Sequence, residues 1–484
     1  MKLLPKAKSD SFVSNSLYVF IIRFFPTLAN FLVLIYYARN LDKVQYGTYQ
    51  NFWIQLILLS AVACAGIHVF IITYPPTFLA GLIKKLPSKY YLLFIGWMVI
   101  MSAVFAGLQY SSMRGAVLIP LLFALVYSLS VIVESFLVVF KSFRILGLIN
   151  LVYALVFCII HWMMLQDTFE LDTLFLQLLV LSIIRLLLCI LIAANNIRKQ
   201  EVVLPSDGQL ISTKIRNMWL HMGFYDVTTR VFSWMDKFII SLLLSKELSA
   251  IYFNGSIDIP FLPLVLGATA SVSLIHLART NAEDKSTHSV MLMRYSSRIL
   301  SAIVFPLFFF LIFFRYELFS VVFSDKYLSA VPIFFISLLI VPLRAYSFTT
   351  VLQNQHKGAI INIGNIMDII IAASLMYPLY KLMGLPGVAL SYVISTYCQA
   401  LFYLYHTSNT IKVPMWQLIP LGNWVLKFIV FFLVFIVTHY LLGMNFATKN
   451  VLILGGILLA IVAIIALLIE LKSTKDNGKT FSSE

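Results

Sequence analysis

Charge is scarce in this sequence. Of 484 residues only 11% are Asp, Glu, Lys or Arg, against about 25% in ordinary soluble domains. A chain so poor in charge and 61% hydrophobic cannot cover itself with a water-compatible surface, so a soluble globular protein is excluded. Acidic residues are the scarcer sign, 20 against 35 basic ones, for a formal net charge of +15. That excess does not point to nucleic acid. Lys and Arg are scattered singly through short loops and form no stripe interleaved with aromatics. Cysteine is rarer still: Cys64, Cys158, Cys189 and Cys398 all fall in apolar runs without CxxC or CxxxC spacing. Neither a disulfide framework nor a zinc site is signalled, and they read as small packing residues.

Several chemistries lack their motifs. There is no GxxxxGK[ST] loop, and the segment 197–218 is too short for a nucleotide-binding domain, which argues against direct ATP drive. No HExxH, no GxSxG elbow and no His/Asp/Glu cluster beside a large outside loop occurs. Hydrolase, polymerase and acyltransferase readings therefore have no catalytic group to rest on. The chain is not expected to be an enzyme, and no cofactor or metal is implied.

What is present is a succession of apolar runs of about 20 residues, each long enough to cross a hydrocarbon core about 30 Å thick. They predict an all-α membrane protein of about fourteen spans, near 12–37, 48–72, 90–108, 117–140, 146–165, 174–196, 219–244, 252–277, 299–314, 331–352, 361–378, 386–405, 423–442 and 451–470. The basic start MKLLPKAKSD resembles a signal n-region, but the following run is too long and lacks a small-x-small cleavage site, so it reads as an uncleaved first span. Lys84, Lys85, Lys89, Lys141, Arg144, Arg198, Lys199, Lys214, Arg216 and Lys472 share one side if both termini are cytoplasmic, while the opposite loop QDTFELDT at 166–173 is purely acidic. The positive-inside rule selects that orientation.

An internal echo supports a repeat. LDKVQYGTYQNF at 41–52 and LSKELSAIYFNG at 244–255 share Leu, Lys, Tyr and Asn at a constant offset, and FRILGLIN at 143–150 loosely matches QHKGAIIN at 355–362. Each pair occupies equivalent places in the topology. The expected organisation is two six-helix lobes related by a parallel repeat, 1–218 and 219–410, with two extra helices and a tail at 411–484. In this plan a substrate site lies between the lobes, and the last two helices suit partner or lipid contacts.

The seventh span carries FYDVTTRVFSWMDKF at 224–238. At about 100° per residue, Asp226, Arg230, Ser233 and Lys237 fall within roughly 60° of one another, with Asp236 some 80° aside. Each charge costs roughly 2.5 to 3.5 kcal/mol near a span centre, so such a face turns inward or toward a water-filled cavity. Arg23, Arg185, Arg230 and Arg344 lie near the centres of the first, sixth, seventh and tenth spans, with Lys237 further out. These five cations outnumber the carboxylates at their depth, and an anionic substrate is expected to balance them. Guanidinium suits phosphate because it binds two oxygens at once and stays charged, which makes diphosphate the obvious anion. The bland alternative is that Asp226 and Arg230, spaced i,i+4, neutralise each other while Lys237 reaches for the interface.

Asp226, Asp236, Asp368 and Glu134 are the candidate carboxylates, either for a coupling H⁺ or Na⁺ or as structural partners, and Asp258 lies near the outside end of the eighth span. His68, His161, His221, His276 and His439 are isolated and read as packing or interface residues. Pro26, Pro260, Pro263, Pro306 and Pro342 predict bends. Tyr90, Tyr91, Trp219 and Trp416 read as interfacial anchors.

Three segments carry a family resemblance: LDKVQYGTYQNF, QNQHKGAIINIGN at 353–365 and YKLMGLPGVALSYVIS at 380–395, the last with Gly384, Gly387 and Ala389 at small-residue positions that permit close helix contact. Over the whole chain the sequence resembles the polysaccharide-exporter branch of the multidrug/oligosaccharidyl-lipid/polysaccharide flippase superfamily. The resemblance implies a Wzx-type flippase of the bacterial inner membrane, which carries an undecaprenyl-diphosphate-linked oligosaccharide, the repeat unit of O-antigen, capsule or exopolysaccharide, to the periplasmic leaflet by alternating access. Membrane lipids and a glycan polymerase or glycosyltransferases are the partners expected with it, and the coupling H⁺ or Na⁺ is the one expected at the carboxylates above. The family motifs are structural, so the site residues rest on the charge argument alone. The alternatives within the same fold are a lipid II flippase and a multidrug or metabolite antiporter. The usual cationic substrates of antiporters prefer carboxylates and aromatics, which the cationic midplane disfavours.

Overall fold

The computed structural model describes residues 9–113, 115–166, 169–200, 213–259, 285–355 and 357–478, with isolated positions between 262 and 273. Those residues form helices, turns and coil with no strand among them. The chain is an all-α, multi-pass membrane protein. Nine helices among the described residues are long and apolar enough to cross a bilayer, or ten if one bent pair counts as a single span.

The chain divides into two compact units, Met1–Ala250 and Ile251–Glu484. The first holds α1 (Ser9–Asn40), α2 (Lys43–Cys64), α3 (Ile67–Thr73), α4 (Pro76–Lys85), α5 (Ser88–Gln109), α6 (Leu118–Val139), α7 (Phe143–Met164), α8 (Leu171–Lys199) and α9 (Thr213–Leu243), and the boundary falls inside α10 (Lys246–Gly255). Within this unit α1 packs on α7, α6 lies between α5 and α8, and α2 touches α5, α6 and α9. Aromatic residues bind these helices together. Phe52 stacks on Phe175 at 3.6 Å, with Phe105, Phe123 and Trp53 edge-on around the pair. Rings offset or edge-to-face in this way gain quadrupole energy beyond simple burial.

The second unit holds α11 (Lys285–Phe313), α12 (Arg315–Val322), a 3₁₀ turn at Asp325–Ala330, α13 (Val331–Leu338), a second 3₁₀ turn at Val341–Ala345, α14 (Thr350–Asn354), α15 (Gly358–Met383), α16 (Leu385–Ile411), α17 (Met415–Leu418), α18 (Leu421–Asn445) and α19 (Thr448–Gly478). Helices α15 and α16 form a tight antiparallel hairpin, and α11 packs on both α18 and α19. The approach at the hairpin depends on Gly387, where a Cβ would run into the Leu379 carbonyl. Both α18 and α19 expose large apolar side chains such as Leu426, Ile429, Ile461 and Ile465, as lipid-facing helices must.

Helix starts follow local chemistry. Asp42 caps α2, its carboxylate accepting hydrogen bonds from the Val44 and Gln45 amides at 2.8 Å, as N-cap residues do. In the second echo segment Ser245 takes the equivalent place before α10 and accepts from the Leu248 amide at 3.3 Å. The two helices begin at Lys43 and Lys246, equivalent positions of the two echo segments.

Three predicted spans are interrupted. The second, expected as one helix over 48–72, breaks at Ala65 and Gly66, both in the left-handed region, and α2 and α3 diverge by 56°. The tenth, expected over 331–352, is α13, a 3₁₀ turn and α14. Pro342 lies in that turn, where its missing N–H ends the α-helical ladder. In the eighth, α10 ends at Gly255 and 257–259 are not helical, while Pro260 and most of the remaining run lie outside the described residues. The charged helix α9, assigned by the sequence to the second lobe, packs on α2 and α3 within the first unit.

Candidate functional site

The contact between α9 and the α2–α3 break is built on backbone. Gly66 and Gly223 meet so closely that a Cβ on either would overlap the other segment. The break leaves the Ala65 carbonyl without its helical donor, and the Trp219 indole Nε1–H supplies one at 3.0 Å. Trp219, expected as an interfacial anchor, is thus also a backbone ligand. Further along the same contact, Gln55 donates to the Ser241 hydroxyl at 2.9 Å and accepts from Gln109 at 2.7 Å.

Beside the break lies an ionisable group of three. Asp226 sits with its carboxylate 3.5 Å from His68 Nε2 and 3.8 Å from Arg230 Nε. The aspartate side chain is 12% exposed and the arginine side chain 48%. The i,i+4 pairing expected of Asp226 and Arg230 is therefore present but long, and the guanidinium remains half open. His68, expected as a packing residue, joins this group. No sequence signal links it to Asp226, because 157 intervening residues and a helix break separate them.

The other intramembrane charges sort differently. Arg185 on α8 pairs with Glu134 of α6, donates to Asn150 Oδ1 of α7 at 2.8 and 3.2 Å, and lies 4.6 Å from the Tyr153 ring centroid. One guanidinium thereby ties three helices together, and its charge is balanced inside the protein. Lys237 is buried, with Nζ 3.8 Å from the neighbouring Asp236 carboxylate and over the Trp234 ring at 5.5 Å. Arg23 lies on α1, and its side chain is outside the described residues.

In the second unit Arg344 stands on the 3₁₀ turn that interrupts the tenth span and makes no ion pair within 4 Å among the described residues. It is exposed into a cavity of about 300 Å³ lined also by Tyr346, Thr349, Thr396, Gln399 and Tyr403. The Tyr346 hydroxyl is buried without a hydrogen-bond partner among the described residues. Asp368 on α15 is wholly buried behind this region, near Ser395 and within the field of Arg344, and neither carboxylate oxygen accepts a hydrogen bond among the described residues. Asp258 is exposed and also acts on Arg344 electrostatically.

Sequence reasoning missed one further charged cluster. Glu470 of α19 is buried and accepts from Arg298 Nε at 2.8 Å, Lys427 Nζ at 2.9 Å and Asn423 Nδ2 at 2.9 Å. At the other end of α18, His439 Nε2 lies 2.9 Å from Glu317. The two extra helices are fastened to α11 and α12 by these contacts. Conversely His161 behaves as the packing residue expected of it: fully buried, with Nδ1 2.7 Å from the Phe157 carbonyl and Nε2 3.0 Å from the Tyr49 hydroxyl. A second cavity, about 360 Å³, lies by Gln45, Thr48, Ser112, Glu170, Asp172 and Lys246. Partial burial there pushes the Lys246 amine below the ordinary lysine range.

No family model matches the sequence, and no curated protein matches it. Solved structures do. Over 95% of this chain and 99% of the other, the fold superposes on a lipid II flippase, MurJ, in an inward closed conformation, with a TM-score of 0.63 at 17% identity. An inward-facing multidrug resistance MATE family transporter of the MOP superfamily matches with a TM-score of 0.53 at 16% identity, over 80% of this chain and 94% of that one. An outward-facing MATE family transporter of the same superfamily gives 0.53 at 14% identity, over 83% and 95%. The chain shares the fold of these membrane transporters.

Proposed function

We propose that the chain is an alternating-access flippase for an undecaprenyl-diphosphate-linked oligosaccharide, the repeat unit of O-antigen, capsule or exopolysaccharide, in the bacterial inner membrane with both termini cytoplasmic. The observation that carries the reading is the state of the cations. Arg344 opens into a cavity without a carboxylate at contact distance among the described residues, and Arg230 is half exposed beside a long pair. Guanidinium groups so placed in a membrane protein await an anion, and a diphosphate offers oxygens in the geometry they bind. Arg185, by contrast, is balanced by Glu134, and Lys237, whose contact to Asp236 is as long as that of Arg230 to Asp226, is buried where Arg230 is half exposed. They belong to the scaffold, and the substrate-binding role narrows to Arg230, Arg344 and, by its position on the first span, Arg23.

The lobes that alternate are 1–218 and 219–410, so the seam between α9 and the α2–α3 break parts during the cycle. The coupling ion is H⁺ or Na⁺, and a glycan polymerase and glycosyltransferases act on the same substrate before or after it. A lipid II flippase is the second reading. It is favoured by the extent of the likeness to that flippase structure, and it needs the same diphosphate-binding cations. A multidrug antiporter fits less well, because organic cations are repelled by exposed guanidinium.

The test is export of a surface glycan, with protein abundance in the membrane measured alongside. Arg344→Gln and Arg230→Gln each lower export about tenfold or more, since one charge-assisted contact is worth about 1.5–3 kcal/mol and 1.4 kcal/mol is a factor of ten. Lys at either position restores part of it. Unchanged export in both Gln variants would overturn the reading. Loss of cell-wall precursor translocation with intact surface glycan selects the lipid II alternative.

A further inference from the structure

The group His68, Asp226 and Arg230 holds one carboxylate between two cation-capable side chains. Asp226 stands 3.5 Å from the imidazole Nε2 and 3.8 Å from the guanidinium Nε, on opposite oxygens. Neither contact is a tight ion pair, whose N···O distance is about 2.7–2.9 Å. The second imidazole nitrogen, His68 Nδ1, is buried with no hydrogen-bond partner among the described residues, and so is Asp226 Oδ2. A neutral imidazole can offer Asp226 only a weak donor from Nε2–H, whereas an imidazolium sets a full positive charge against the carboxylate.

We infer that His68 and Asp226 form a proton-binding site, and that its occupancy decides whether Arg230 is available to an anion. With His68 neutral, Arg230 is the full positive charge that faces the carboxylate among the described residues. With His68 protonated, the carboxylate turns to the imidazolium, and the half-exposed guanidinium is released. Histidine suits such an exchange because one imidazole can be either a neutral donor or a cation. Proton and anion then bind cooperatively, and by linkage each raises the affinity for the other by the same factor.

Among the described residues, the titratable groups that interact with this cluster include Cys64 at the end of α2, Tyr127 on α6 and Tyr225 on α9, a thiol and two phenols, which ordinarily ionise only above about pH 8. His221 lies on α9 five residues before Asp226 and is exposed. Glu134, further along α6, is engaged by Arg185.

The location couples the exchange to backbone. His68 is the second residue of α3, directly after the left-handed pair at Ala65 and Gly66, and Asp226 follows Gly223, which packs against that pair. A proton that strengthens the His68–Asp226 contact therefore tightens the seam between α3 and α9. The site thus binds the coupling ion and acts on the contact that alternating access must open.

The anion half of the inference rests on the flippase reading, and the proton half does not, so two measurements separate them. The first uses purified full-length protein with ¹⁵N-labelled histidine, the His68 imidazole signal being identified by its loss in His68→Gln. Arg230→Gln raises the protonated fraction of His68 at neutral pH and Asp226→Asn lowers it; Arg230 is half exposed, so its removal leaves the fold intact. An unchanged fraction in Arg230→Gln overturns the competition for Asp226. The second measures binding of farnesyl diphosphate at pH 6 and pH 8 to wild type and to His68→Gln, so that the probe's own titration cancels. The wild type loses about fivefold more affinity across this range than the variant, the lower end of ordinary coupling between two sites. Equal losses in the two proteins overturn the linkage. Absence of farnesyl diphosphate binding at any pH contradicts the diphosphate reading, and the imidazole measurement then decides the proton site by itself.

Discussion

Arg185→Met is the substitution that separates scaffold from substrate site most sharply. In the native protein this guanidinium pairs with Glu134, gives two hydrogen bonds to Asn150 Oδ1 and stacks against Tyr153. Its removal leaves a carboxylate and an amide oxygen in a region where the two charged side chains are only 16% and 27% exposed. Breaking a fully buried pair from one side costs about 3–5 kcal/mol. The residual exposure of Glu134 reduces that, so the single variant is expected to lose roughly 2–4 kcal/mol on the same basis. The double variant Arg185→Met, Glu134→Leu removes both charges and should recover most of the loss, because apolar replacement of a whole pair is often neutral. Denaturant unfolding in mixed micelles, followed by tryptophan fluorescence, reads both values. Export of the surface glycan should survive in the double variant. The reasoning is refuted if the single variant is as stable as wild type, or if the double variant is folded and stable but exports nothing.

Gly223→Val should weaken the seam between α9 and the α2–α3 break, because its side chain meets the Ala65 carbonyl. The expected result is a cost of about 1–3 kcal/mol from overpacking with a change in transport rate, and a seam that tolerates valine in both respects would contradict its role in the transport cycle. Glu470→Gln leaves Arg298 and Lys427 without their shared carboxylate. Amide exchange should then quicken selectively in α18 and α19, and a uniform or absent effect would show that the cluster does not fasten these helices.

Much of this architecture is legible in hydropathy, for a physical reason. In lipid every backbone group must be satisfied within a helix, so each apolar run becomes one, and α5, α6, α7, α8, α15, α16, α18 and α19 lie where the sequence places them. The cap at Asp42 and the small residue Gly387 are local features with local consequences. The break at Ala65 is not legible, because alanine is a strong helix former, yet it holds a left-handed φ of 45° where the chain packs against α9. Among the site residues, the polar face of α9 was readable from a 100° period. Which charge meets which carboxylate was not, since the pairs Arg185–Glu134 and His68–Asp226 join helices far apart in sequence. Counting cations does not tell which of them meets a carboxylate: Arg185 is engaged by Glu134, Arg230 and Lys237 each face one at 3.8 Å, and Arg344 makes no ion pair within 4 Å among the described residues.

The central claim is that the exposed guanidinium groups carry a lipid-linked diphosphate across the bilayer. The direct measurement is translocation of a fluorescent undecaprenyl-diphosphate-linked oligosaccharide in proteoliposomes containing wild type, the Arg230→Gln, Arg344→Gln double variant, or the Arg185→Met, Glu134→Leu double variant. The account predicts movement by wild type and by the Arg185, Glu134 variant, and at least a tenfold loss when Arg230 and Arg344 are both neutral. Equal translocation by all three proteins, or none by wild type, would contradict it.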